Sequence, residues 1–200
     1  MRLSLALLMA VPAAGAPGLQ AQVDYDARVG VTWATALIRD DRLFDEIEVR
    51  QKLAPTLTLG ASLPIAPRYR AGLELALTTS GYRAQEAGTE TDLGTLRTGS
   101  VMLGLLGPIS SGLQWRGGVG LLAYWPTEER GMFLRGGTTR FLAGAGVDYR
   151  RPVMTQWDIM ISLRYDFHRF TTDELRARAF SQSQGVQRIA ATVGIARGRR

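Results

Sequence analysis

The single histidine of this chain, His168, follows Asp166 by two residues. In an extended segment, side chains two apart share a face, so a carboxylate stands beside an imidazole, the pairing that orients a general base. Hydrolysis would also need a nucleophile. Ser162 lies on the same row, but six residues at ~3.3 Å each set it roughly 20 Å away, too far for a triad. Ser80, on another segment, reaches His168 only if closure of a sheet brings it there. The absence of cysteine excludes thiol nucleophiles, disulfides and thiolate metal sites, and one histidine with scattered carboxylates is too poor a donor set for a metal. Gly117-Gly118, Gly136-Gly137 and the run from Gly144 to Gly146 lack a phosphate-loop pattern. We therefore expect no catalytic, metal-binding or cofactor-binding residue and no cofactor.

The element that carries His168 is more telling than the histidine. Trp157, Ile159, Ile161, Leu163, Tyr165 and Phe167 form one apolar row, and Asp158, Ser162, Arg164 and Asp166 alternate with them. This is the period of a strand. The apolar row would be a hazard in water, and the charged row would be costly in a protein core. Lipid on one side and a polar barrel lumen on the other suit both rows.

Composition agrees. Two hundred residues make one domain of ordinary size, and a hydrophobic fraction of 46% does not exclude a barrel, which needs only half of each strand apolar. Residues 1–21 read as a signal peptide: Arg2 is the charged start, an apolar run follows from Leu3 to Val11, and Leu19-Gln20-Ala21 is the exit, leaving Gln22 as the first mature residue. Export argues against nucleic acid as the partner of the formal charge of +6. Anionic outer-membrane lipid and lipopolysaccharide are the expected counter-charges.

Eight segments alternate in this way, over residues 23–37, 47–65, 69–81, 95–106, 113–125, 138–149, 157–167 and 186–196. The connections between them run long, short, long, short, long, short, long. Among these segments, Pro55 predicts a bulge or lost pairing. Leu96, Met102 and Leu106 conflict with Val101, Leu103 and Leu105, which predicts a bulge near Gly99, since Arg97 would otherwise face lipid. The turns and loops include 66–68, 107–112 and 150–155, a polar loop over 83–92, and charged loops over 38–46 and 126–137.

The fold expected is an all-β, eight-stranded, antiparallel up-and-down transmembrane β-barrel over residues 22–197, with a basic tail at 198–200. Aromatic side chains should form two belts. Tyr25, Tyr69, Trp115, Tyr149 and Trp157 fall at the periplasmic rim; Trp33, Trp125, Phe141, Tyr165 and Phe167 fall at the external rim. Trp115 and Trp125, ten residues apart, span roughly 25 Å at a tilt of ~40°, the height of such a barrel's apolar band. The inward set should pair as a structural charge network: Arg28, Glu48, Arg50, Arg70, Glu74, Arg116, Arg140, Asp158, Arg164, Asp166, His168 and Arg188, with Lys52 and Asp148 among them.

On strand count, loop alternation and belts, the sequence resembles the small outer-membrane β-barrel family typified by the membrane domain of OmpA. The resemblance implies the bacterial outer membrane, reached through the barrel insertion machinery. It also implies an aromatic residue ending the last strand, whereas this chain continues past Ile195 to Arg197-Gly198-Arg199-Arg200. Either Ile195 takes that role or the tail is tolerated. The function expected is non-enzymatic, supporting envelope integrity or surface interaction through external loops. The alternatives are a narrow pore, a lipid A-modifying outer-membrane enzyme, and, outside the membrane, a soluble lipocalin-like barrel with the apolar row inside.

Overall fold

A computed structural model describes residues 23–40, 47–86, 88–129, 131–177 and 184–197. The expected signal peptide and basic tail lie outside them. Strands dominate the chain: β1 (Asp24–Ala34), β2 (Ile38–Asp40), β3 (Ile47–Gln51), β4 (Ala54–Ala66), β5 (Tyr69–Glu86), β6 (Thr89–Ser110), β7 (Leu113–Pro126), β8 (Thr138–Met154), β9 (Trp157–Phe170) and β10 (Gln184–Arg197).

Eight of these close a ring. Every neighbouring pair is antiparallel, in the order β5, β4, β1, β10, β9, β8, β7, β6, and β6 returns to β5. A path perpendicular to the strands begins at Ala34 and passes Arg188, Asp166, Gly144, Gly118, Gly104, Gly72 and Ser62. It re-enters β1 at Asp24, ten residues before its start. A stagger of ten over eight strands sets a tilt of roughly 43°, in the usual barrel range.

Parity then separates two environments. Even-numbered residues of the ring strands point into the lumen and odd-numbered ones point out, as in β9, where buried and exposed positions alternate strictly from Ile159 to Phe170. Val29, Leu59, Leu103, Val119, Ile161 and Val193 are all exposed. The apolar row therefore lies on the exterior, the reverse of a lipocalin-like interior. Turns of two residues, Pro67-Arg68, Ser111-Gly112 and Thr155-Gln156, join the strands at one end. Gly112 takes a φ of +78° there, and its carbonyl accepts from the Arg150 N–H at 2.7 Å.

The opposite end differs from expectation in several places. Residues 83–92 are not a polar loop: β5 and β6 run on as a paired hairpin, past an irregularity at Gly81/Arg83. β3 pairs with this extension and β2 pairs with β3, so Ile38–Asp40 is a strand rather than part of a loop. At the base of β8, residues 150–154 continue the strand, and β6 runs through residues 107–110. Gly99 carries no bulge: pairing is continuous through it on both sides. Leu96, Met102 and Leu106 enter the lumen and Arg97 faces out. At Pro55, β4–β5 pairing does fail, beginning only at Thr56↔Thr78.

Because Leu103 sits at mid-depth on the outer wall, Leu103→Arg should cost about 2–4 kcal/mol, measured by reversible unfolding in lipid vesicles. A cost near zero would mean that this row faces water.

Candidate functional site

Chemistry-bearing side chains converge in the lumen, and glycine makes the room for them. Gly60 opposes Asp26 across β4–β1, and Gly144 opposes Asp166 across β8–β9. A Cβ at either glycine would overlap the facing carboxylate. The missing side chains therefore hold the space into which Asp26 and Asp166 fold.

Glu74 is the hub. Its carboxylate accepts ion pairs from Arg28, Arg116 and Arg164, which come from three other strands. Each arginine also reaches an aspartate at 2.7 Å: Arg28 to Asp26, Arg116 to Asp148 and Arg164 to Asp166. Ser162 donates to Asp148 at 2.6 Å and accepts from Arg28 at 3.0 Å. Towards the turn end, Arg70 and Arg150 flank Asp24 at 3.2 and 3.7 Å, with Asp158 half-buried at the same rim. Six carboxylates (Asp24, Asp26, Glu74, Asp148, Asp158, Asp166) thus share the lumen with six arginines (Arg28, Arg70, Arg116, Arg150, Arg164, Arg188), a balanced set.

A hydroxyl layer lies above the hub, where Thr32 bonds Thr56 at 2.6 Å, Thr78 bonds Thr98, and Arg188 donates to Thr98 at 3.2 Å. An apolar lid covers this layer. Tyr82 packs edge-on to Phe133 at 5.9 Å, Phe170 meets Tyr124 at 5.2 Å and Phe133 at 6.0 Å, and Leu37, Leu96, Leu122 and Leu142 fill the gaps. Two cavities in the lumen below measure about 30 and 20 Å³, room for single waters.

His168 and Asp166 do not engage each other. His168 is buried under the lid with Nε2 2.6 Å from the Tyr124 hydroxyl, while Asp166 is taken by Arg164. Ser162 is held in the charged layer, and no hydrogen bond joins Ser80 to His168 among the described residues. No group of three or more potential metal ligands occurs among those residues either.

Several expected lumen residues lie elsewhere. Glu48 and Arg50 pair with each other at 2.8 Å on β3, outside the ring, where Arg50 is exposed. Lys52 is near Asp92 on the hairpin of β5 and β6 at 3.4 Å. The Gly94 N–H, donating at 2.8 Å, and then that lysine hold the Asp92 carboxyl below its ordinary value. Arg140 sits at the mouth and donates from Nε to the Thr171 carbonyl at 3.0 Å. Asp24, Asp26 and Arg150 were not in the expected network. All three keep the even parity of the lumen row, a signal present in the sequence but obscured for Arg150 by its assignment to a turn.

Nine of the ten expected belt aromatics are exposed on the outer wall; the tenth, Trp115, is half-buried against Tyr69 at a ring separation of 6.4 Å.

No protein-family model and no curated protein sequence matches the chain. Solved structures do. Neisserial surface protein A is 11% identical with a TM-score of 0.56, over 88% of this chain and 96% of that one. The outer membrane protein OprG from Pseudomonas aeruginosa is 13% identical with a TM-score of 0.51, over 89% and 96%. The attachment invasion locus protein Ail of Yersinia pestis, solved with the heparin analogue sucrose octasulfate, is 14% identical with a TM-score of 0.50, over 88% and 99%. With its apolar exterior, exposed aromatics and charged interior, this chain is an eight-stranded transmembrane β-barrel with the fold of the small bacterial outer-membrane proteins.

Proposed function

We propose that this outer-membrane barrel is a non-enzymatic, non-conducting envelope protein that supports envelope integrity and presents its external hairpin and lid to the surroundings. The observation that carries this reading is the Glu74 hub: one carboxylate ties three guanidinium groups from three other strands across the middle of the lumen. An ion would have to displace charges that are already paired, and the lid above would have to unpack. The engagement of Asp166 with Arg164 and of His168 with Tyr124 argues against hydrolysis at that pair.

The purified protein in planar bilayers should show no stepwise conductance; regular steps would overturn the reading in favour of a pore. Glu74→Ala leaves three lumen guanidiniums, two of them buried, short of an anion and should cost about 3–5 kcal/mol of unfolding free energy in vesicles; a cost below about 1 kcal/mol would sink the hub's structural role. On a denaturing gel, unheated protein should migrate differently from boiled protein, as expected of a closed membrane barrel, and identical migration would count against one.

A further inference from the structure

The two faces of the barrel wall differ in charge. Below the Gly81 irregularity, the outward positions of the ring strands hold four arginines, Arg97, Arg151, Arg169 and Arg197, and no carboxylate. The lumen residues cannot serve as their counter-charges, because they point the other way and are balanced among themselves. Arg97 lies at the level of the external belt, paired across strands with Trp125 on one side and Thr79 on the other.

Arg97 also borders a recess. A groove of ≈ 530 Å³ on the outer face is lined by Val29, Pro55, Leu57, Leu77, Arg97 and Trp125, and by Thr79, which stands opposite Arg97 on the neighbouring strand. It lies where β4 and β5 part. Their pairing stops at Thr56↔Thr78, and beyond the gap the Lys52 N–H donates to Gly81, so Leu53, Ala54 and Pro55 stand against Thr79 and Ser80. Pro55, which cannot donate a ladder hydrogen bond, marks the break. On the other side Trp125 leans over Gly99: a Cβ there would come within 2.7 Å of the indole and 3.2 Å of Leu77. The result is an alkyl-lined trough that ends, at the interface, in a guanidinium and a hydroxyl.

We propose that this groove seats one phosphorylated acyl lipid of the outer leaflet, its phosphate on Arg97 and Thr79 and an acyl chain along Leu57, Leu77 and Val29. A guanidinium fork matches a phosphate in two parallel hydrogen bonds, and lipid supplies that anion at the depth where the wall supplies none. The proposal rests on the outer-membrane reading, which makes this wall lipid-facing.

The test is native mass spectrometry of the folded protein in detergent, titrated separately with diphosphorylated lipid A, with the same lipid stripped of phosphate, and with inorganic phosphate. One diphosphorylated lipid A should be retained, while the stripped lipid and inorganic phosphate should not. Arg97→Gln should weaken retention about tenfold, the loss of one charge-assisted contact. Leu57→Trp, which fills the trough, should weaken it as well, and Arg169→Gln should leave it unchanged. Equal retention of the stripped lipid, retention of inorganic phosphate in place of lipid, or wild-type retention by Arg97→Gln would each overturn the proposal. The heated and unheated gel migration of every variant separates these outcomes from failure of the barrel reading, which would instead abolish the difference in the wild type.

Discussion

Inside hydrocarbon, water is not there to satisfy a backbone N–H or C=O, so each must find its partner in the protein. A strand can do this only between two neighbours, and a sheet only if its last strand meets its first. Here the meeting is β5 with β6, and it imposes the rest. Eight strands with a stagger of ten leave an interior that side chains can fill. Along each ring strand, residue parity alone then decides between lipid and lumen.

The interior inherits a second constraint. A charge taken out of water is expensive unless it is paired and its remaining hydrogen-bonding positions are filled. The lumen answers with six carboxylates against six arginines, Glu74 being shared three ways and Ser162 bridging Asp148 to Arg28, while Arg188 donates to the Thr98 hydroxyl. The planar guanidinium suits the task, because each fork can engage one acid through Nε and another through Nη, as Arg164 does with Asp166 and Glu74. Glycine at Gly60 and Gly144 is the counterpart: in so narrow a cylinder, space for one side chain comes from the absence of another.

Beyond the membrane the rule changes. Once β3 and the hairpin of β5 and β6 stand in water, apolar residues turn inward again. Leu37 and Val49, which extend the lipid-facing rows of the sequence, are buried under the external cluster with Tyr82 and Phe133. The wall and the lid thus bury opposite faces of a continuous pattern. The Gly81/Arg83 irregularity, and the break before Thr56, lie where one regime gives way to the other.

Alternation is a local property, and it made the ring strands, their even number, the outward aromatics and the lumen row of β9 legible from residues alone. Mixed rows were not legible in the same way. Leu96, Met102 and Leu106 look misplaced until one sees that the lumen takes apolar residues too, Leu96 in the lid, Met102 opposite Glu74 and Leu106 opposite Arg70, so no bulge at Gly99 is needed to rescue them. Nor can a linear pattern say which charges meet. The partners of Glu74 lie 46, 42 and 90 residues away, and only the stagger of the closed ring sets them at one height. The same holds for Glu48 and Arg50, whose alternation continues that of β4 although the ring begins after them. Period and parity reside in the chain; depth, and therefore every pairing across the lumen, follows from closure.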